Sequence, residues 1–280
     1  QKMRALIIYL VISAVFIGCT PILSIGASTQ DVYHFHDTDK NISLLDVSAI
    51  FGSYDGSFVL YDNHLDSWKI YNLEEANKRI PPDSTYKIYD ALLGLESGII
   101  TPEHSSMAWN GEHFSYSAWE NDQDLNSAMQ NSVNWYFQTM DSQLGLNKIQ
   151  EFLNEIEYGN QTTSSNLKLY WSDFSLKISP IEQVELLKKF NTNGFHLHSQ
   201  NVLSVKNAIK IVGTSDGTFY GKTGTGCIDG QDINGWFIGY IETSDNIYYF
   251  ATNIQSDSNA TGKKALEITS AILKKLHIWN

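Results

Sequence analysis

The chain has 280 residues, enough to bury a sizeable core in one large domain or two small ones. Its 7 Trp, 15 Tyr and 13 Phe, set among only 18% charged residues, exclude a disordered chain. The net charge of −12, with no basic block to displace counterions, excludes a nucleic-acid surface.

The first predicted element is the run "ALIIYLVISAVFIGCTPILSIGA", Ala5 to Ala27, with no charge in 23 residues. It is long enough to cross a bilayer. Lys2 and Arg4 precede it and Asp31 is the first charge after it. That asymmetry puts the N-terminus in the cytoplasm and everything after Ala27 outside the cell membrane. A cleaved signal peptide would have a shorter apolar region, and "VFIGC", ending at Cys19, is an imperfect lipid-attachment pattern. A retained transmembrane helix is the expectation. Cys19 lies inside this run and Cys227 far beyond it, which does not suggest a disulfide. The chain opens on Gln1 rather than Met and is expected to be a piece of a longer protein. The expected organisation is residues 1–27 as that helix with a short flank, 28–49 as an extracellular linker, and 50–280 as the folded domain.

Residues 28–50 are polar and mixed, as in a tether. His34 and His36 have no third ligand at suitable spacing, so no metal is expected in this chain. "GSFVLYDNHLDSWKIYN" alternates apolar residues around a polar turn, a hairpin signature. From Ser84 to about Phe190 the pattern is mostly helical, with "DLNSAMQNSVNWYFQTM" and "SPIEQVELLKKF" apolar at helical spacing. Strands return with "TFYGKTGTG", "NGWFIGYIET" and "NIYYFATNI", and "GKKALEITSAILKKL" closes the chain as an amphipathic helix. Strands at both ends with helices between them predict an α+β fold, its antiparallel sheet completed by distant segments.

"PPDSTYKIYDALLGLE" begins such a helix, with Asp83 placed to cap it. Ser84 and Lys87 then lie one turn apart on one face. A serine needs an adjacent base to act as a nucleophile, and a lysine is a base only when neutral, hence desolvated or modified. Taken alone, S-x-x-K is a common coincidence. Ser132 and Asn134 in "QNSVNWYF", and Lys222, Thr223 and Gly224 in "YGKTGTG", complete the ordered set S-x-x-K, S-x-N, K-T-G of serine enzymes that react with penicillin. Ser132 would pass a proton between Lys87 and the leaving ring nitrogen. Lys222 would supply positive charge beside a substrate carboxylate. Gly224 would let its strand approach closely. The N–H groups of Ser84 and Thr225 would form an oxyanion hole.

With these motifs, "YGN" at Tyr158 to Asn160 and "YWSDFSLKIS" at Tyr170 to Ser179 resemble class D β-lactamases. They resemble still more closely the sensor domain of the BlaR/MecR penicillin receptors, over roughly Ile50 to the C-terminus. The resemblance implies the serine β-lactamase/penicillin-binding fold, with Ser84 acylated and Lys87 as base. It implies a CO2-derived carbamate on Lys87 in the free state, which the Trp171 indole steadies in the hydrolases. It implies that Thr223 and Thr225 help hold the ligand carboxylate. The arginine that class D hydrolases carry after the final strand is missing, since "NIQSDSNATGKKALE" offers only Lys263 and Lys264.

Class D hydrolases have an aliphatic residue where Asn134 stands. In the receptors such an amide is thought to capture the lysine once CO2 is lost, leaving no base for deacylation. Asn134 and the apolar N-terminal run therefore favour a β-lactam sensor, acylated by penicillins and cephalosporins with negligible turnover, that passes the event inward to induce resistance genes. A zinc protease domain would then lie upstream of Gln1, because no H-E-x-x-H occurs here. A membrane-anchored class D β-lactamase is the alternative. A penicillin-binding cell-wall peptidase is favoured by S-x-N but disfavoured by "YGN" and "YWSDFSLKIS".

Overall fold

The computed structural model describes residues 31–33, 35 and 40–280. The apolar run Ala5–Ala27, His34, His36 and Cys19 lie outside the described residues. Among the described residues no helix is long and apolar enough to cross a membrane, and no three metal-ligating side chains cluster. Cys227 is disulfide-bonded, which corrects the expectation of unpaired cysteines.

Among the described residues seven strands form one sheet: β1 (Asn41–Leu44), β2 (Asp55–Asp62), β3 (Ser67–Tyr71), β4 (Lys210–Thr214), β5 (Gly217–Ile228), β6 (Gln231–Glu242) and β7 (Ile247–Gln255). Their order is β1-β3-β2-β7-β6-β5-β4. Only the β1–β3 pair is parallel. The N-terminal hairpin β2–β3 thus docks on the C-terminal strand β7, which is the predicted completion by distant segments.

Alternation along the strands builds two cores, one on each face. Val59, Tyr61, Ile238, Tyr240 and Tyr249 face the large helical layer. Phe58, Leu60, Phe237, Ile241 and Phe250 face a smaller one. The smaller layer is α1 (Ser48–Phe51) and the closing helix α9 (Gly262–Lys275), with α2 (Leu73–Ala76) following β3. The large layer holds α3 (Lys87–Glu96), α4 (Leu125–Gln130), α5 (Asn134–Leu144), α6 (Leu146–Glu155), α7 (Pro180–Asn191) and α8 (Ser199–Ala208). Helix α7 starts where its sequence says it should: Ser179 and Glu182 form a reciprocal capping box, and Pro180 opens the first turn.

The folded part begins ahead of residue 50. Asn41–Leu44 pairs with Ser67–Ile70, Ile42 packs against the large core, and Val47 and Phe51 are buried in the smaller one. Asp31 pairs with Lys177, while the Tyr33 hydroxyl and Lys40 bond Glu185. The described part of the segment expected as a linker is held down, because Ile42 reaches the large core at the sheet edge and Asp31, Tyr33 and Lys40 find partners.

Candidate active site

Ser84 sits in a 3-10 turn, Asp83–Tyr86, and α3 starts only at Lys87. Asp83 is therefore not a cap. Its backbone takes a left-handed φ of 49°, and its buried Oδ2 accepts a hydrogen bond from Asn234 Nδ2 at 2.8 Å. The turn is suspended from two sides. The Pro81 carbonyl accepts from Asn234 Nδ2 at 3.1 Å and Trp236 Nε1 at 2.8 Å, both on β6. The Asp83 N–H donates to the Trp171 carbonyl at 2.9 Å, in the loop between α6 and α7. That loop is folded back on itself by "YGN": Asn160 Nδ2 donates to the Ser175 carbonyl, and its Oδ1 accepts from the Lys177 N–H.

Lys87 is completely buried, yet its amine meets three polar oxygens: Ser84 Oγ at 2.6 Å, Asn134 Oδ1 at 2.6 Å and Ser132 Oγ at 3.2 Å. Burial holds its pKa well below the usual lysine value of 10.5. The charge of Lys222 acts in the same direction, and Asp90, Asp83 and Asp141 oppose it. A neutral amine has one lone pair and two N–H bonds. It can accept the Ser84 proton while donating to Asn134 and Ser132, which uses every valence. The sequence-predicted nucleophile, base and relay are thus brought together, with Asn134 in direct contact with the base.

Ser132 lies between α4 and α5 with a φ of 51°, a strained value for a residue with a side chain. The turn is held by the Val133 N–H on the Ala128 carbonyl and by Trp119 Nε1 on the Asn131 carbonyl. Its hydroxyl also accepts from Lys222 Nζ at 3.1 Å. With both lone pairs used, its proton is left to point outward. Lys222 donates as well to the Thr223 carbonyl at 2.9 Å, and burial lowers its pKa to about 7.

Thr223 and Thr225 lie with Lys222 on β5, beside the Ser84 turn. Gly224 is where β5 meets that turn: a Cβ there would lie 3.2 Å from the Pro82 oxygen and 3.3 Å from the Ser84 nitrogen. Its close approach is to the backbone of Pro82 and Ser84. The Thr225 hydroxyl accepts from the Gly262 N–H at the start of α9, 2.9 Å away. Lys264, one of the two lysines after the final strand, pairs with Glu267 at 2.6 Å.

A carbamate on Lys87 would add an anion here, and the surrounding residues do not fit one. Asn134 presents an oxygen. The Trp171 ring covers Nζ, with its centroid at 4.5 Å, but the indole N–H donates to the Lys168 carbonyl at 3.1 Å. Asp90 and Asp141 lie close enough to act on the amine.

A family profile described as the penicillin binding protein transpeptidase domain matches residues 53–274. The chain belongs to that family. It is 43% identical over 277 residues to regulatory protein BlaR1 of Bacillus licheniformis, covering 98% of this chain and 45% of the relative. It is 38% identical over 278 residues to methicillin resistance mecR1 protein of Staphylococcus aureus, covering 99% and 47%. The chain spans about half the length of these curated relatives. Among solved structures, the C-terminal domain of the Bacillus licheniformis BlaR penicillin-receptor aligns with a TM-score of 0.84 at 44% identity, covering 86% of this chain and 99% of that one. A class D β-lactamase from Bacillus subtilis aligns at 0.79 and 33%, covering 84% and 97%. The resemblance to the BlaR/MecR sensor and the class D-like fold are borne out.

Three buried acidic residues beside Ser84 and Lys87 were not assigned to the site from the sequence. Asp83 looked like a cap. Asp90 is a carboxylate inside an otherwise apolar helix, "IYDALLGL", and that mismatch was the signal available. Asp141 offered none.

Proposed function

We propose that this domain is the extracellular β-lactam sensor of a BlaR/MecR-type signal transducer, acylated at Ser84 and slow to be released. The observation that carries the proposal is Lys87 Nζ at 2.6 Å from both Ser84 Oγ and Asn134 Oδ1. Ser84 Oγ attacks the β-lactam carbonyl carbon as its proton moves to Lys87, and the N–H groups of Ser84 and Thr225 face the developing oxyanion. The ring C–N bond breaks as Ser132 hands its outward proton to the nitrogen and is resupplied by Lys87. Lys222, Thr223 and Thr225 hold the ligand carboxylate. The antibiotic's atoms all remain on the protein as an ester. Release would need a base to activate water, and the Asn134 acceptor engages the amine that would serve.

The apolar run Ala5–Ala27 would anchor the sensor, with its N-terminus cytoplasmic, and the upstream part of the receptor, zinc protease included, would carry the signal to resistance genes. The test is mass spectrometry of the full chain incubated with benzylpenicillin. The expected result is a gain of the antibiotic's full mass that outlasts a hydrolase's turnover time and is absent in Ser84→Ala. Labelling of the alanine variant would overturn the assignment. Rapid recovery of unmodified protein with bulk loss of penicillin would support the class D β-lactamase reading, which similarity to probable β-lactamase YbxI of Bacillus subtilis keeps in play at 34% identity over 91% of that relative.

A further inference from the structure

Helices α3 and α5 pack closely beneath Lys87, because Gly94 leaves space that Met140 Sδ fills. Two carboxyl groups with no solvent exposure lie between them: Asp90, one turn after Lys87 on the same face, and Asp141 on α5. A cage of buried phenols encloses the pair, with Tyr86 edge-on to Tyr158 at 5.2 Å and to Tyr170 at 5.5 Å, and Tyr89 against Tyr158 at 5.2 Å. The Tyr170 hydroxyl donates to Asp141 Oδ2 at 3.2 Å. Among the described residues neither Asp90 oxygen meets an N–H or O–H donor; what faces it is the Asp141 carboxyl.

Two carboxylates in one dry site cannot both ionise. Burial and then the Asp141 charge push Asp90 well above the usual carboxylate range. Burial raises Asp141 as well, but Asp90 and Tyr170 donate to it, and it reaches only about 6. A proton on Lys87 would lower both. Of the phenols, burial and then the carboxyls raise Tyr86 and Tyr170 far above their usual value, so they stay neutral. Asp83 and Lys222 act on the amine from the nucleophile turn and from β5. At neutral pH the pair thus shares one proton and carries one negative charge, which the Tyr170 hydroxyl draws to Asp141.

We propose that Asp90 and Asp141 are positioning residues whose single buried charge keeps CO2 off Lys87. Carboxylation joins the amine nitrogen to the CO2 carbon and releases one amine proton, leaving an anion where there was none. With Asp141 already charged near enough to act on the amine, that product is disfavoured. The ammonium that Lys87 becomes on taking the Ser84 proton is favoured. Only the consequence for adduct lifetime rests on the sensor reading.

The test uses the unacylated full chain, 13C-labelled bicarbonate at pH 7.5, and the carbamate carbon signal in NMR, with Lys87→Ala as the blank. Asp141→Asn removes the charge and should lower the bicarbonate concentration for half-occupancy by about tenfold or more, as expected for a buried like charge that acts on the amine. Asp90→Asn replaces one neutral group by another that still donates, and should leave half-occupancy near wild type. Tyr170→Phe keeps the ring, removes the donor that supports the Asp141 charge, and should move half-occupancy severalfold in the same direction as Asp141→Asn. It also carries the test if Asp141→Asn does not fold. A packing role alone would disturb Asp90→Asn and Asp141→Asn alike, and equal half-occupancy in all folded variants would overturn the proposal. A short-lived wild-type adduct would sink the sensor reading without touching these ratios.

Discussion

Asp83→Asn tests whether the residue before the nucleophile is a neutral acid. Asp83 is buried and bonded through Oδ2 to the Asn234 amide, and burial lifts its pKa from 3.8 to about 8. The folded chain therefore keeps this proton over a pH range in which the unfolded chain has lost it. The stabilisation is fully present below about pH 4 and is lost as pH rises through 8. Each pH unit within that window costs about 1.4 kcal/mol, so moving from pH 5 to pH 7 should remove roughly 3 kcal/mol through this group alone. Asparagine keeps an oxygen for Asn234 and cannot ionise. Asp90 and Asp141 titrate in both proteins and cancel. Urea unfolding of wild type and variant at pH 5 and pH 7 should show the wild type losing more, by about that amount. Parallel losses of stability would mean Asp83 is ionised in the fold, and the reasoning would fail.

Lys87→Ala should slow penicillin acylation by about a hundredfold or more, read as adduct mass against time, because Ser84 loses its base. A near wild-type rate would transfer that role to Ser132. Asn134→Val removes the acceptor at 2.6 Å from the amine and should shorten the adduct's half-life in bicarbonate. An unchanged half-life, in a folded variant with a carbamate signal, would clear Asn134 of any part in retention. Gly159→Ala places a Cβ onto the Lys177 carbonyl at a φ of 51°. It should cost more than about 1 kcal/mol, visible as a lowered Tm by circular dichroism. An unaltered Tm would show that the loop gives way without cost.

The candidate site residues were legible because each sits in a short motif whose spacing matches its local structure: Ser84 and Lys87 about one turn apart, Lys222 to Thr225 along one strand. The hairpin and α7 were legible for the same reason, since alternation and a capping box are local. Strand β1 was not. Four residues at a sheet edge carry too little pattern, and their pairing depends on β3. Asp83 was misread because a residue type before a helix says nothing of a 3-10 turn in between. The direction of the Trp171 N–H is decided by the Lys168 carbonyl, and the meeting of Asp90 with Asp141 by helix packing. Neither leaves a trace in spacing.

The Ser84 turn hangs from the Trp171 carbonyl on one side and from Asn234 and Trp236 on the other. In an instrument these would be the mount and not the blade. The setting of Ser84 is inherited from a loop without regular structure, clamped at its far end where Ile80 and Ile178 exchange backbone bonds. Sequence drift in that loop is thus limited by tolerance at Ser84, even at positions no ligand reaches. "YGN" and "YWSDFSLKIS" stand out as motifs for the same reason a lens cell is machined as finely as its lens.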